Sequence, residues 1–171
     1  PGVDQIIQGM SGLMSITGEP DRGPMRAGVA ISDTSAGMFL GQGILLALLH
    51  RERTGQGQWV HTSLLESMMS KLDFQGARYT MSGEIPDQQG NDHPTQVPMG
   101  TFNASDGYIN IAAFGDQMWR RFCDALGAAA LLSNPDYASI GLRIRNKIQV
   151  KADMNLLTQQ YGVTDLVDRL N

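Results

Sequence analysis

The sequence predicts an α/β chain on three observations. A long apolar helix leads through a glycine turn into a short strand, a stretch rich in Gly and Pro follows residue 72, and a hairpin signal has helices behind it. The first element, Ala27 to Ser32, is a short apolar run that reads as a strand or extended segment. Asp33, Thr34 and Ser35 then offer capping oxygens to a helix. Met38, Phe39, Leu40, Ile44, Leu45, Leu46, Leu48 and Leu49 make that helix apolar on most of its circumference, which predicts burial. His50, Arg51 and Arg53 sit where a helix end favours cations, and Thr54-Gly55-Gln56-Gly57 stops the helix before a strand, Trp59 to Thr62. A second helix is expected from Ser63 to about Arg78, with Leu64, Leu65, Met68, Met69 and Leu72 on its inward face.

From Asp73 to Val97 the chain turns polar and reads as loop, punctuated by Gly83, Pro86, Gly90 and Pro94. Met99–Asn103 and Tyr108–Ala112 then read as two strands joined at the Asp106-Gly107 turn. Helical patterns occupy Gly115 to Leu126 and, after Asn134-Pro135, Ser139 to Met154 and Asn155 to Tyr161; Thr164 can cap a last helix, Asp165 to Leu170. The breaks divide the chain into residues 1–72, a connecting stretch 73–97, and residues 98–171.

Composition excludes several classes of function. With 13 basic and 17 acidic residues the net charge is −4, and no basic cluster is interleaved with aromatics, so nucleic acid is not an expected partner. No apolar run approaches bilayer length and no signal peptide is visible, which sets aside a membrane. The single cysteine, Cys123, cannot form an intrachain disulfide and fits a reducing cytoplasm; on its amphipathic helix it reads as a core thiol. His50, His61 and His93 lack ligand-like spacing, so no metal is expected. Gly41 and Gly43 lie inside a helix, not between strand and helix, and carry no dinucleotide fingerprint.

On pattern alone Asp33 is a helix cap. Exposed N–H groups at a helix N-terminus also favour a charged carboxylate, and a charged carboxylate is what an acyl-accepting nucleophile requires. Arg22 and Arg26 are basic groups suited to phosphates or a carboxylate, though an arginine on a loop is commonly just solvated.

Four ordered blocks then resemble a known family. DQIIQGMSGLMSITGEP (Asp4 to Pro20), the SD-x-x-AG segment around Asp33, the RERTGQGQWV turn, and GNDHP with the later P-x-G-x-F and DGYINIA (Gly90 to Ala112) are similar to the family III CoA-transferases. That superfamily includes formyl-CoA transferase, the carnitine branch and the 2-methylacyl-CoA racemases. The resemblance implies a Rossmann-like large domain to which residues 1–72 belong, a linker and active-site loop at 73–97, and a small α+β domain at 98–171 cut before its end. It implies that Asp33 attacks an acyl-CoA thioester and carries the acyl group and then CoA. The CoA thioester is thus a substrate, and no bound cofactor is expected. Family racemases add a histidine base in a G-H-D context; here that context reads Gly2-Val3-Asp4, and valine carries no proton, which favours transfer over racemisation.

By the same resemblance, the glutamate of formyl-CoA transferases falls at Gln5, which makes Gln5 a candidate contact to acceptor or thioester. Their glycine-run loop falls at Gly90-Asn91-Asp92-His93-Pro94-Thr95-Gln96, which makes Asn91 and His93 candidate substrate contacts. Without the glycine run, a dicarboxylic or carnitine-type acid fits better than formyl or oxalyl. The family forms interlocked homodimers of chains well over twice this length. A chain of 171 residues that begins at Pro1 is therefore expected to be an internal piece, inactive alone, and a non-catalytic piece that only folds and self-associates is the further alternative.

Overall fold

The computed structural model describes residues 2–171; Pro1, on which the reading of an internal piece partly rests, lies outside them. The chain is mixed α/β and rich in helix, and it folds as two compact units, one ending at Gly90 and one spanning Asn91–Asn171.

All regular structure among the described residues of the first unit is helical: α1 (Asp4–Met10), α2 (Leu13–Ile16), α3 (Ile31–Thr54), α4 (Leu64–Lys71) and α5 (Asp73–Ser82). Gly55, at φ 74°, closes α3 by donating its N–H to Arg51 O at 2.7 Å. Ser63 opens α4 with a capping box: its Oγ accepts the Glu66 N–H at 3.1 Å, and its own N–H reaches Glu66 Oε2 at 3.0 Å. Gly43 lets Val60 close on α3, since a Cβ there would lie 2.7 Å from Val60 Cγ1.

Several expectations are corrected in this unit. Ala27–Ser32 and Trp59–Thr62 are not strands: neither has a ladder partner among the described residues, and Ile31 and Ser32 already belong to α3. The helix expected over Ser63–Arg78 is broken at Leu72, because Asp73 takes φ 50°, and α5 fills residues expected to be loop. Full burial in α3 is confined to Ser32, Ser35 and Ala36, while Leu45 and Leu46 are 67% and 65% exposed. At 24 residues α3 is also long and apolar enough, by length and composition, to cross a bilayer, because its glycines, small residues and leucines run on between Asp33 and the charged residues of its last turn.

The second unit is built on the hairpin at the expected positions, β1 (Met99–Asn103) and β2 (Tyr108–Ala112), antiparallel with Thr101 opposite Asn110. Behind it run α6 (Asp116–Ala125), α7 (Ala129–Ser133), a 3-10 turn at Pro135–Tyr137, α8 (Ile140–Arg145), α9 (Lys147–Thr158) and α10 (Val163–Leu170). The long helix expected from Ser139 is split at Asn146, α7 was not foreseen, and α10 is preceded by Gly162 so that Thr164 lies inside it. Phe102, Ile111, Trp119, Phe122, Met154 and Leu166 form the core. Cys123 is buried there, and burial, with a smaller contribution from Asp124, pushes its thiol up to about 11, so it is not a thiolate at neutral pH.

Arg143 is fully buried in this core, which an arginine tolerates only when its donors are used. It donates to Tyr137 O at 2.8 Å, Phe114 O at 2.9 Å, Val97 O at 3.3 Å and Asp116 Oδ1 at 2.7 Å, and its guanidinium lies 5.3 Å from the Trp119 ring centroid. One side chain thus ties the segment before β1, the exit of β2 and the α7–α8 connection together. Arg143→Ala is expected to destabilise the second unit by about 3 kcal/mol, because three carbonyls lose their donor; urea unfolding followed by Trp119 fluorescence measures it.

Candidate functional site

In the first unit the candidate site is the entry to α3. Val3 precedes α1 in an extended conformation, and Asp4 opens that helix with its carboxylate buried. Four residues on, Gln8 lies on the same face. Asp4 Oδ1 accepts both the N–H and the hydroxyl of Ser32 at 2.9 Å, while Oδ2 accepts Gln8 Nε2 at 2.7 Å. Gln8, fully buried, also donates to Val29 O at 3.2 Å and accepts the Ala27 N–H at 2.8 Å. The segment 27–32 is therefore held by side chains, where a strand would be held by a ladder.

This network supplies what α3 lacks locally. Its N-cap, Ala30, has no side-chain acceptor, and the orphan N–H of Ser32 is capped by a carboxylate 28 residues earlier. Thr34 N–H returns to Ala30 O at 3.1 Å, so the Asp33 N–H is left without an acceptor among the described residues. Burial alone would raise the Asp4 carboxyl; the donors of Ser32 and Gln8 and the charge of Arg26 hold it below its ordinary value.

Asp33 is not the cap that its sequence context predicted. It is the third residue of α3, exposed, and among the described residues no hydrogen bond or ion pair engages its carboxylate. Arg26, expected to face CoA or an acid, is half exposed and lies 3.9 Å from Asp4 Oδ2. Gln5 is exposed on α1 beside Asp4, and Val3 is 64% exposed. The structure thus places Arg26 beside Asp4 and Asp33 directly after the Ser32 that Asp4 caps, while Gln5 adjoins Asp4 only in sequence. Asp4, Gln8 and Ser32 are the residues that sequence reasoning missed; the acid and amide four apart at the start of a helix were the available signal.

Asn91 and His93 belong to the second unit. Asn91 is exposed. His93 is half-buried, and its Nδ1 accepts the N–H groups of Thr95 at 3.2 Å and Gln96 at 3.1 Å, which places the proton of the neutral ring on Nε2. Its own N–H donates to Met99 O at 2.8 Å. His93 therefore shapes the turn 93–96 as well as lining it. Among the described residues no three His, Cys, Asp or Glu side chains converge as metal ligands would.

The family model described as CoA-transferase family III matches residues 1–171. The chain is 38% identical over 166 residues to the succinate–glutarate CoA-transferase of Agrobacterium fabrum, covering 97% of this chain and 42% of that protein. It is likewise 38% identical over 170 residues to the succinyl-CoA:mesaconate CoA-transferase of Haloarcula marismortui, covering 99% and 42%. The crystal structure of a CaiB/BaiF family protein from Brucella suis superposes with a TM-score of 0.83 at 37% identity, covering 99% of this chain and 45% of that one. The chain thus spans less than half the length of these relatives.

Removing the Asp4 carboxylate is expected to loosen the entry to α3. The native pKa of Asp4 lies below its unfolded value, so its contribution is complete above the unfolded value and is lost as pH falls through the native one. Urea unfolding should show Asp4→Ala less stable than wild type by about 2 kcal/mol near neutral pH, with the difference shrinking on acidification below about pH 4.

Proposed function

The chain belongs to CoA-transferase family III, and from that premise we propose that the whole protein moves coenzyme A from an acyl-CoA to a carboxylic acid with Asp33 as nucleophile. The observation that carries this reading is the state of Asp33: a carboxylate exposed in the first turn of a helix, with no partner among the described residues, on a segment fixed by Asp4 and Gln8. A group that must attack a thioester gains from being positioned through its backbone while its side chain stays unengaged.

The proposed sequence balances as four acyl exchanges. The Asp33 carboxylate attacks the thioester carbonyl and expels CoA thiolate, leaving a mixed anhydride. The thiolate attacks the Asp33 carbonyl and releases the donor acid, which leaves CoA on Asp33 as a thioester. The acceptor carboxylate attacks that thioester, expels the thiolate and forms a second anhydride, whose acceptor carbonyl the thiolate finally attacks to free Asp33. Each tetrahedral oxyanion needs a donor, and the Asp33 N–H is available as one. Arg26 and Gln5 are assigned to the acid or thioester, and Asn91 and His93 in the second unit to substrate recognition.

The named activities of the relatives, succinate–glutarate and succinyl-CoA:mesaconate transfer, support a dicarboxylic donor and acceptor. Residues up to 72 are assigned to a Rossmann-like large domain, 73–97 to linker and active-site loop, and 98–171 to the small domain. The functional form is proposed to be a cytoplasmic homodimer without membrane or nucleic-acid partner, in which α3 is an interior helix. The 171-residue chain alone is proposed to be inactive.

With succinyl-CoA and glutarate, the full-length enzyme trapped by hydroxylamine or borohydride should show Asp33 modified by mass spectrometry, and Asp33→Ala should fall to background. An unmodified Asp33 together with an active Asp33→Ala overturns the reading. Racemisation instead requires solvent deuterium at the α-carbon of a 2-methylacyl-CoA without any acceptor acid; with Val3 in the base position none is expected. Equilibrium dialysis of CoA against the 171-residue chain should give weak binding or none.

A further inference from the structure

The outer edge of β1 is closed in an unusual way. One edge pairs with β2; along the other, the outward backbone groups fall at residues 99, 101 and 103, two apart as the pleat requires. Met99 O accepts the His93 N–H, Asn103 N–H donates to Asn155 Oδ1 at 2.9 Å, and Asn103 O accepts the Thr158 hydroxyl at 2.6 Å. Thr101 O accepts Lys151 Nζ. Lys151, Asn155 and Thr158 follow helical spacing on α9, so one helix face serves as the missing neighbour strand.

Lys151 does a second thing that Asn155 and Thr158 do not. Its ammonium also pairs with the Asp92 carboxylate and lies 4.1 Å from the Phe102 ring centroid, with the side chain about three-quarters buried. An ammonium has three donors and no acceptor, so it can join a strand carbonyl and a loop carboxylate at once. Gly100 makes the approach possible: a Cβ there would strike the Asp92 carboxylate and would come within 3.0 Å of Asn91 O. The loop is therefore held at its start by Asp92 on Lys151 of α9, next by the His93 N–H on the Met99 carbonyl of β1, and at its end by Arg143 of α8 on Val97 O.

We propose that Lys151 is a positioning residue for transfer: through Asp92 it fixes the turn 91–96 and thereby the substrate contacts of Asn91 and His93. The role of Asn91 and His93 is the reading given under Proposed function, on which this inference rests. Lys151 itself touches no substrate. Its effect is on binding and not on the acyl exchanges at Asp33, so loosening the turn raises KM with little change in kcat.

The test uses the full-length enzyme with succinyl-CoA and glutarate, and two variants. Lys151→Met removes both bonds, whereas Asp92→Ala leaves Lys151 on Thr101 O and the β1 edge closed, which guards against simple misfolding. Both should speed amide hydrogen exchange at His93 and Gln96 and raise KM for one substrate by about tenfold, with kcat within about twofold; Lys151→Arg should restore both. Unchanged exchange in Asp92→Ala overturns the clamp. Faster exchange with unchanged KM overturns the positioning role, and Asn91→Ala then locates the failure: if it raises KM, Lys151 is at fault, and if it does not, the assignment of the turn to substrate is at fault.

Discussion

A carboxylate withdrawn from water must be given donors, and a helix that starts without a capping side chain must be given an acceptor. In the first unit these two needs answer each other. Asp4 accepts from the Ser32 N–H and hydroxyl, and the first turn of α3 is anchored by a residue from a different helix. The direction of α3, the course of residues 27–30 and the placement of Asp33 depend on this exchange, with Gln8 extending it along the segment. Because the cap comes from outside, the first turn is fixed while the side chain of Asp33 is left to face solvent.

The second unit solves a parallel problem with different groups. A two-stranded hairpin has two edges to satisfy and little core of its own. Helix α9 covers one edge with side chains, and Arg143 gathers carbonyls from three connections in the interior. Both devices place a polar side chain where backbone groups would otherwise be buried unpaired. In both units long-range side-chain-to-backbone bonds satisfy groups that no ladder reaches.

Elements specified by local chemistry were legible in the sequence. The hairpin followed from its Asp106-Gly107 turn, the end of α3 from the glycines after Thr54, and the start of α4 was expected at Ser63. Segments whose conformation depends on distant partners were not. Residues 27–32 and 59–62 have strand-like composition but no ladder, and the break at Asp73 rests on a backbone angle that no local pattern announces. Of the candidate site, the ordered motif blocks put Asp33 forward as the nucleophile proposed above. Asp4 and Gln8 were not put forward, because an acid and an amide on a short helix read as surface until the distant backbone groups they bond are known.

Gly43 carries a consequence for anyone wishing to stabilise this chain by design. Glycine inside a helix costs about 1 kcal/mol relative to alanine, and α3 holds three in its interior, Gly37, Gly41 and Gly43. A methyl group at Gly37 or Gly41 meets nothing within 4 Å in this chain, whereas at Gly43 it collides with Val60. The helix propensity forgone at that one position is what allows residues 57–62 to lie against α3, so thermostabilising replacements along the helix have to skip it.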